Sequence, residues 1–187
     1  MKQRDPSAHT AGRFYLINVP GLIVELIKQK IKENWVFLVI IILAFLLDRV
    51  SKNYVVNFFL THGSDSYYFN SFLNFVLLWN TGMAFGIFES DSYTYHAFSF
   101  LIFLVIIFLI VWLFKSIRKI EKISIALIIG GALGNWFDRL VYNAVPDFID
   151  LHYLDFHWFV FNVSDIIISV GILLLIVSDF FLKTNEQ

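Results

Sequence analysis

Four long apolar stretches alternate with more polar segments along the chain, and each is close to the length of a membrane-spanning helix. They cover about residues 35–59, 98–114, 123–141 and 159–182. A helix of about 20 residues crosses the roughly 30 Å hydrocarbon layer of a bilayer. The pattern predicts an all-α membrane protein with four transmembrane helices in a domain over 35–182, preceded by an N-terminal extension (1–34) and followed by a short tail (183–187).

The segment between the first and second spans, about residues 60–97, has a different pattern. Apolar and polar residues partly alternate over residues 67–79, which is typical of one or two short strands. Unpaired strand edges are unfavourable in lipid. The pattern therefore predicts a small extracytoplasmic β-cradle on the outer membrane surface.

The N-terminal extension contains a shorter amphipathic segment over residues 22–33. Its apolar side chains fall on one helical face and its lysines lie elsewhere. Such a helix fits an interfacial position on an anionic inner leaflet. A cytoplasmic extension of the first span explains the same pattern equally well.

Composition and charge set the protein class and its orientation. Of the 187 residues, 58% are hydrophobic and 16% charged, against about 25% charged in soluble domains, which excludes a disordered chain and an ordinary soluble domain. Lys and Arg number 6 before the first span, 0, 4 and 0 in the three loops, and 1 after the last span. By the positive-inside rule, both termini are cytoplasmic. A net charge of −1 gives no case for nucleic-acid binding, and the absence of Cys excludes disulfides and thiolate metal sites.

Ionisable residues inside the apolar spans are the candidates for chemistry, because such groups are unfavourable in a membrane. At a rise of about 1.5 Å per residue, Asp48, Asp138 and Asp165 all lie roughly 20–24 Å above the inner face. Asp147, shortly after the third span, can fold back to this level. The chain therefore predicts a cluster of carboxylates near the outer face.

Two carboxylates that share one water can act as an acid–base pair. Like charges so close do not both ionise easily, so one carboxyl keeps a proton while the other activates water. The residue pattern pairs Asp165 with either Asp138 or Asp147. It favours Asp147 only modestly, because Asp147 follows Pro146 in a bend, whereas Asp138 precedes Arg139, a cation able to neutralise it. The five His show no metalloprotease spacing, and neither a metal nor a cofactor is predicted.

Five motifs in register resemble those of bacterial lipoprotein signal peptidase, also called signal peptidase II. They are DRVSK at 48–52, NTGMAFG at 80–86, GGALGNWFDR at 130–139, VPDF at 145–148 and FNVSD at 161–165. The resemblance covers about residues 35–182. It implies an intramembrane-type aspartic endopeptidase that removes the signal peptide from a prolipoprotein, cutting just before a Cys that carries diacylglyceryl.

The resemblance also implies roles for individual residues. Asp147 and Asp165 match the catalytic pair of the family. The positions implied to support the site or bind substrate are Asn80, Gly82, Asn135, Arg139 and Asn162. Those implied to be mainly structural are Asp48, Lys52 and Asp138. The chain departs from the family at Ser164, where Ala is usual, and at Asn143, where Gly is usual.

The implied setting is a monomer in the bacterial cytoplasmic (inner) membrane, with its active site near the outer face. The expected partners are a diacylated prolipoprotein, membrane lipid and a globomycin-type inhibitor. Two alternatives differ in class. One is an ion-coupled small membrane transporter that uses the buried carboxylates, although four spans without an internal repeat argue against it. The other is a non-catalytic membrane scaffold.

Overall fold

The computed structural model describes residues 19–64, 66–81, 92–154 and 156–182. The elements, in chain order, are α1 (Val19–His62), β1 (Ser66–Asn70), β2 (Leu73–Asn80), α2 (Ser92–Lys115), α3 (Lys119–Tyr142), β3 (Val145–Tyr153), β4 (Phe156–Phe161) and α4 (Val163–Leu182). All four helices are long and apolar enough to cross a membrane. The predicted fold class, four transmembrane helices with a small sheet, is therefore confirmed.

The helices bury small and branched side chains against each other and expose large apolar ones. The buried core is formed by one face each of α2 and α3, through Ile106, Leu109, Leu113, Ile125, Ala126 and Ile129. Exposed apolar residues such as Phe108 and Leu173 lie on the outer faces of the helices, as expected for side chains that contact lipid rather than water.

Glycines of α3 allow the neighbouring helices to approach closely. A Cβ at Gly130 would lie 2.8 Å from the backbone oxygen of Ile41, and one at Gly131 would lie 2.8 Å from that of Ser164. Both distances are shorter than a normal carbon–oxygen contact, so larger residues would push α1 or α4 away. The glycine run therefore serves helix packing, as small residues often do in membranes.

The four strands form one antiparallel sheet in the order β1-β2-β3-β4. The first two strands lie where the alternating pattern predicts them. The prediction is incomplete for the second outer segment, because β3 and β4 lie over residues predicted as a loop and as the start of the fourth span. Residues 159–161 form part of β4, and α4 begins only at Val163. A short apolar run does not distinguish a strand from a helix, and the pairing with β3 decides it.

Helix α2 is longer than the apolar stretch that predicts the second span. Helix α2 begins at Ser92, so residues 92–97 are helical and do not belong to the β-cradle predicted over 60–97. The residues from Ser92 to His96 are mostly polar or amphipathic, and a hydropathy pattern does not count them towards a span. Tyr95 is buried in this part of the helix, so packing rather than helix propensity accounts for the extension.

The chain forms two compact units, Met1–Asn34 and Trp35–Gln187. In the first unit, the described residues 19–34 are helical, so the amphipathic segment predicted over 22–33 is indeed a helix. Its exposed side chains pair along the helix surface, with Lys28 donating to Glu25 at 3.2 Å and Gln29 to Glu33 at 2.9 Å. The interfacial position of this helix stays a prediction.

Candidate active site

Asp147 lies in β3 and is almost completely buried, with 3% of its surface exposed. Both carboxylate oxygens accept hydrogen bonds from amide side chains. Asn80 Nδ2, at the end of the paired strand β2, donates to Oδ2 at 2.9 Å, and Asn162 Nδ2 donates to Oδ1 at 2.6 Å. Burial raises the pKa of Asp147 from 3.8 to about 6, even though the two amide hydrogen bonds oppose this shift, and the negative charge of Asp165 adds to the rise.

Asp165 lies in the first turn of α4, where the local sequence fixes its orientation. Asn162 precedes the helix, and its backbone N–H donates to Asp165 Oδ2 at 3.0 Å. In return, the backbone N–H of Asp165 donates to Asn162 Oδ1 at 3.2 Å. This reciprocal arrangement is a capping box, in which an N-cap side chain and the third helical residue satisfy each other's free N–H groups. The other oxygen, Oδ1, accepts a hydrogen bond from Asn135 Nδ2 at 2.8 Å.

Asn162 therefore contacts both carboxyl groups of the predicted catalytic pair. Its side-chain amide nitrogen binds Asp147, while its backbone nitrogen and side-chain oxygen bind Asp165. All four carboxylate oxygens of the pair accept an N–H group from an uncharged amide. The sequence predicts Asn162 as a partner for one carboxylate, but its bridging position depends on how β3 folds back against α4.

A second group of buried charges lies next to this pair and contains two carboxylates and two cations. Arg49 binds Asp138 through two hydrogen bonds of 2.6 and 2.7 Å and also contacts Asp48 at 2.9 Å. Lys52 Nζ lies 2.7 Å from Asp138 and 2.9 Å from Asp48. We call these four residues the ion cluster. Because cations and carboxylates are equal in number, it is neutral as a whole.

The ion cluster corrects one expectation and confirms another. The sequence suggests Arg139 as the cation that neutralises Asp138, but the salt bridges of Asp138 within the described residues are with Arg49 and Lys52. Arg49 is not among the residues predicted for the site, although its position in the DRVSK motif is a signal. The common depth estimated for Asp48 and Asp165 agrees with the hydrogen bond from the backbone N–H of Ser164 to Asp48 Oδ1 at 3.1 Å.

Asn135 connects the ion cluster to the carboxyl pair. Its Oδ1 accepts a hydrogen bond from Lys52 Nζ at 2.7 Å, and its Nδ2 donates to Asp165 at 2.8 Å. The cation at one end and the carboxylate at the other fix which amide atom faces which group. The side chain of Asn135 therefore links the position of Lys52 to the orientation of the Asp165 carboxyl group.

The remaining residues predicted for the site have different surroundings. Arg139 donates to the backbone oxygen of Asn135 at 3.2 Å, lies over the ring of Phe98, and is near enough to Asp165 and Asp147 for their charges to interact. It makes no salt bridge within the described part of the chain. Gly82 lies outside the described residues.

The two departures from the resembled family have structural explanations. Asn143 ends α3 with φ 52° and ψ 23°, a left-handed conformation that Asn tolerates better than most residues other than Gly. The bend before β3 is therefore kept. The hydroxyl of Ser164 is buried and has no hydrogen-bond partner among the described residues, so it does not bind the neighbouring Asp165.

An apolar groove of about 380 Å³ runs along β4 and α4 and reaches Asp165. Asp165 lies in its wall, together with Leu151, Trp158, Phe159, Phe161, Ile166, Ser169, Val170 and Leu173. A larger cavity of about 570 Å³ lies between the end of α1 and the first two strands, and contains none of the carboxylates discussed above. The smaller groove is thus the one that connects an apolar surface with the candidate chemistry.

Comparison with known proteins gives a consistent result. Residues 40–181 match the family model for signal peptidase (SPase) II. A lipoprotein signal peptidase of Pelagibacter ubique is 46% identical over 164 residues, which cover 86% of this chain and 98% of that protein. One of Aquifex aeolicus is 41% identical over 154 residues, covering 81% and 90%.

A solved bacterial membrane enzyme structure agrees with these relatives. It superposes with a TM-score of 0.66 at 25% identity and covers 81% of this chain and 92% of its own. Together with the family match over most of the chain, this means that the protein belongs to the signal peptidase II family. The prediction made from the five motifs is confirmed at this level, and the transporter alternative is not favoured.

Proposed function

We propose that this member of the signal peptidase II family is an aspartic endopeptidase that removes signal peptides from diacylglyceryl-modified prolipoproteins, with Asp147 and Asp165 as its catalytic pair. The observation that carries the assignment is the position of Asn162, which hydrogen-bonds both carboxyl groups at once. In this proposal, the two acids contact opposite sides of Asn162 and share one water between them. The relatives named lipoprotein signal peptidase support the substrate class.

The proposed reaction needs one ionised and one protonated carboxyl group. Asp165 takes a proton from a water molecule, and the oxygen of that water attacks the carbonyl carbon of the residue before the lipidated Cys. Asp147, whose pKa is raised to about 6 by burial, keeps the shared proton and donates a hydrogen bond to the carbonyl oxygen. When the C–N bond breaks, Asp147 gives that proton to the leaving amine.

The surrounding residues have supporting roles in this proposal. Asn80, Asn135 and Asn162 orient the carboxyl groups through the hydrogen bonds described above. Arg139, which has no salt-bridge partner in the described ranges, is placed to bind a substrate carbonyl. We assign Gly82 to the substrate-binding segment from the family resemblance alone. Asp48, Lys52 and Asp138 hold α1, α3 and α4 in position as parts of the ion cluster.

The apolar groove beside Asp165 accounts for a substrate that arrives through the membrane. Its lining of Trp158, Phe159, Val170 and Leu173 matches an apolar signal peptide or an acyl chain, and burial of each CH₂ group contributes about 0.8 kcal/mol. In the proposed orientation both termini are cytoplasmic and the carboxyl pair lies near the outer face of the inner membrane. The protein acts as a monomer, and a globomycin-type inhibitor competes with the substrate.

The proposal is tested by cleavage of a diacylated prolipoprotein with the purified protein in detergent, followed by gel shift. We expect Asp147→Asn and Asp165→Asn each to lower the cleavage rate by about 10³-fold or more, because neither amide can take or give the proton. Asp179→Asn on the same helix is the matched control, since Asp179 is half exposed and binds Arg118 at 2.6 Å, far along α4 from Asp165. Near-parental cleavage in either active-site variant would contradict the proposal.

A further inference from the structure

A second cluster of ligand-type side chains lies on the hairpin formed by β3 and β4. Asp150 and His152 belong to β3, and His157 belongs to β4. Each offers one ligand atom, and these three atoms lie within 4.8 Å of one another. None of them takes part in the proposed peptidase chemistry.

The strand register brings the three side chains together. His152 pairs directly with His157 across the hairpin, and a register shift occurs between Asp150 and His152. The two imidazole rings stack with centroids 5.2 Å apart and planes inclined by 20°. Because the ligands come from two strands, no short sequence motif reveals the cluster, and the sequence pattern predicts no metal.

The surroundings of the cluster suit a cation. Asp150 is buried, with 4% of its side chain exposed, and contacts His157 Nδ1 at 2.8 and 3.0 Å. His152 Nδ1 is buried without a hydrogen-bond partner among the described residues, which is unfavourable for a ring nitrogen. The segment from 142 to 158 contains no Lys or Arg, so no lysine or arginine of the hairpin neutralises Asp150.

We propose that Asp150, His152 and His157 form a binding site for one divalent cation of the zinc class. Two imidazoles and one carboxylate, with water in the open position, are a common ligand set for this ion. Bonds of about 2.1 Å to a tetrahedral ion place ligand atoms roughly 3.4 Å apart. The three ligand atoms lie within 4.8 Å of one another, so only small side-chain movements separate them from this spacing. The side chain of His157 is 56% exposed and has room to adjust.

The site would stabilise the turn of the hairpin, whose opposite end carries Asp147 and leads into α4. Asp147 lies three residues before Asp150 on β3, and β4 leads into Asn162. The bound ion is thus structural in this proposal, and it is separate from the ligands of the shared water. The inference does not depend on the peptidase function, because binding is measured without substrate.

The test uses the full chain purified in detergent, without a polyhistidine tag and stripped of metal, and titrated with Co²⁺. We expect saturable visible d–d absorption at one equivalent, and its loss when Zn²⁺ is added. His152→Gln and His157→Gln should each weaken Co²⁺ binding by about tenfold or more. His62→Gln is the matched control and should bind like the parent, since His62 lies at the end of α1 and contacts the backbone oxygen of Phe58.

Thermal unfolding provides a second readout that does not rely on cobalt spectroscopy. Zn²⁺ should raise the unfolding temperature of the parent and of His62→Gln, and should have no effect on the His152→Gln/His157→Gln double variant. The absence of saturable Co²⁺ absorption in the parent would overturn the proposal. Equal affinity in the parent and the double variant would also overturn it, because the ion would then bind elsewhere. Asp150 is left unchanged because it is buried.

Discussion

Two pairs of carboxylates lie on either side of Asn135, and they are held by opposite means. In the ion cluster, Asp48 and Asp138 contact the full positive charges of Arg49 and Lys52 at 2.6–2.9 Å. In the candidate active site, the carboxylate oxygens of Asp147 and Asp165 receive hydrogen bonds from neutral amides. Asp48, Asp138 and Asp147 are buried, and Asp165 is partly buried. The clearest difference between the two pairs therefore lies in their partners.

The comparison shows how one small bundle can hold acids for structure and acids for chemistry. The two carboxylates of the ion cluster offset the charge of two buried cations, so the loss of either one would leave positive charge buried without its partner. Neutral amides also orient a carboxylate, but they favour its ionised form less strongly than full positive charges do. Burial can then raise its pKa, as it does for Asp147. Four predictions test this division, beginning with the largest expected effect.

Removing one acid from the ion cluster should cause the largest loss of stability among these substitutions. Asp138→Asn leaves Arg49 and Lys52 buried with a single carboxylate between them. Breaking a buried ion pair from one side typically costs about 3–5 kcal/mol. We therefore expect a large fall in unfolding temperature in detergent, together with poor recovery of folded protein.

The exposed pair Glu25–Lys28 provides the control for this experiment. Its side chains are 73% and 67% exposed, so Glu25→Gln should leave the unfolding temperature unchanged. If Asp138→Asn is as stable as the parent, Asp138 is not structural, and the distinction between the two carboxylate pairs is wrong.

Replacing Asp147, which is held by amides, should not lower the stability at neutral pH, and the size of the effect should depend on pH. The folded-state pKa of Asp147 is about 6, above its ordinary value of 3.8. As the pH rises, the Asp147 carboxyl loses its proton at a lower pH in the unfolded chain than in the folded protein. Its contribution to the free energy of unfolding is therefore fully present below about pH 4 and is lost as the pH rises through 6. The shift corresponds to about 3 kcal/mol. Asp147→Asn removes it, so the variant should lose less stability than the parent between pH 4 and 7.

This prediction is checked by unfolding both proteins over that pH range under identical conditions. The titrating groups outside the carboxyl pair are common to both, so the difference between the two curves reports the effect of the Asp147 carboxyl, including its interaction with Asp165. The variant is expected to be at least as stable as the parent at pH 7, even though it no longer cleaves substrate. Parallel curves would mean that the Asp147 carboxyl is not held at a raised pKa.

Asn135 is the point where the two regions meet, and its loss should affect catalysis more than substrate binding. Asn135→Ala removes the acceptor for Lys52 and the donor to Asp165. A lost hydrogen bond to a charged group costs about 1.5–3 kcal/mol, so kcat should fall roughly 10- to 100-fold with little change in KM. Asn57→Ala, at an exposed position of α1, should leave both constants unchanged. Activity of Asn135→Ala within twofold of the parent would mean that the ion cluster does not influence catalysis through Asp165.

The sequence was a good guide wherever the evidence was local. The rise of a helix placed Asp48, Asp138 and Asp165 at one depth, and alternation over 67–79 predicted the first two strands. It was a poor guide to contacts between distant segments. The pairing of Arg49 with Asp138, separated by 89 positions, and the joining of β3 and β4 to the sheet depend on packing, which periodicity does not encode. The motif identifies Asn162 as a site residue, but it does not predict that Asn162 contacts both carboxyl groups.

The smallest predicted effect concerns the bend between the two regions. Asn143 turns the chain from α3, which carries Asp138, into β3, which carries Asp147, and it does so with a φ of 52°. Its side chain is exposed, so substitutions there test the backbone conformation with little loss of contacts. Asn143→Gly should be neutral or slightly stabilising, whereas Asn143→Ala should cost about 1 kcal/mol.

Unfolding temperature and cleavage rate measured on the same three proteins would show whether this bend matters to the active site. If the bend positions Asp147, cleavage should follow the order Gly, Asn, Ala, with differences of a few fold. A stability loss in Asn143→Ala without any change in cleavage would mean that Asn80 and Asn162 alone fix the acid. In that case the bend does not orient either carboxylate pair. The two pairs are then connected through the hydrogen bonds of Asn135 to Lys52 and Asp165.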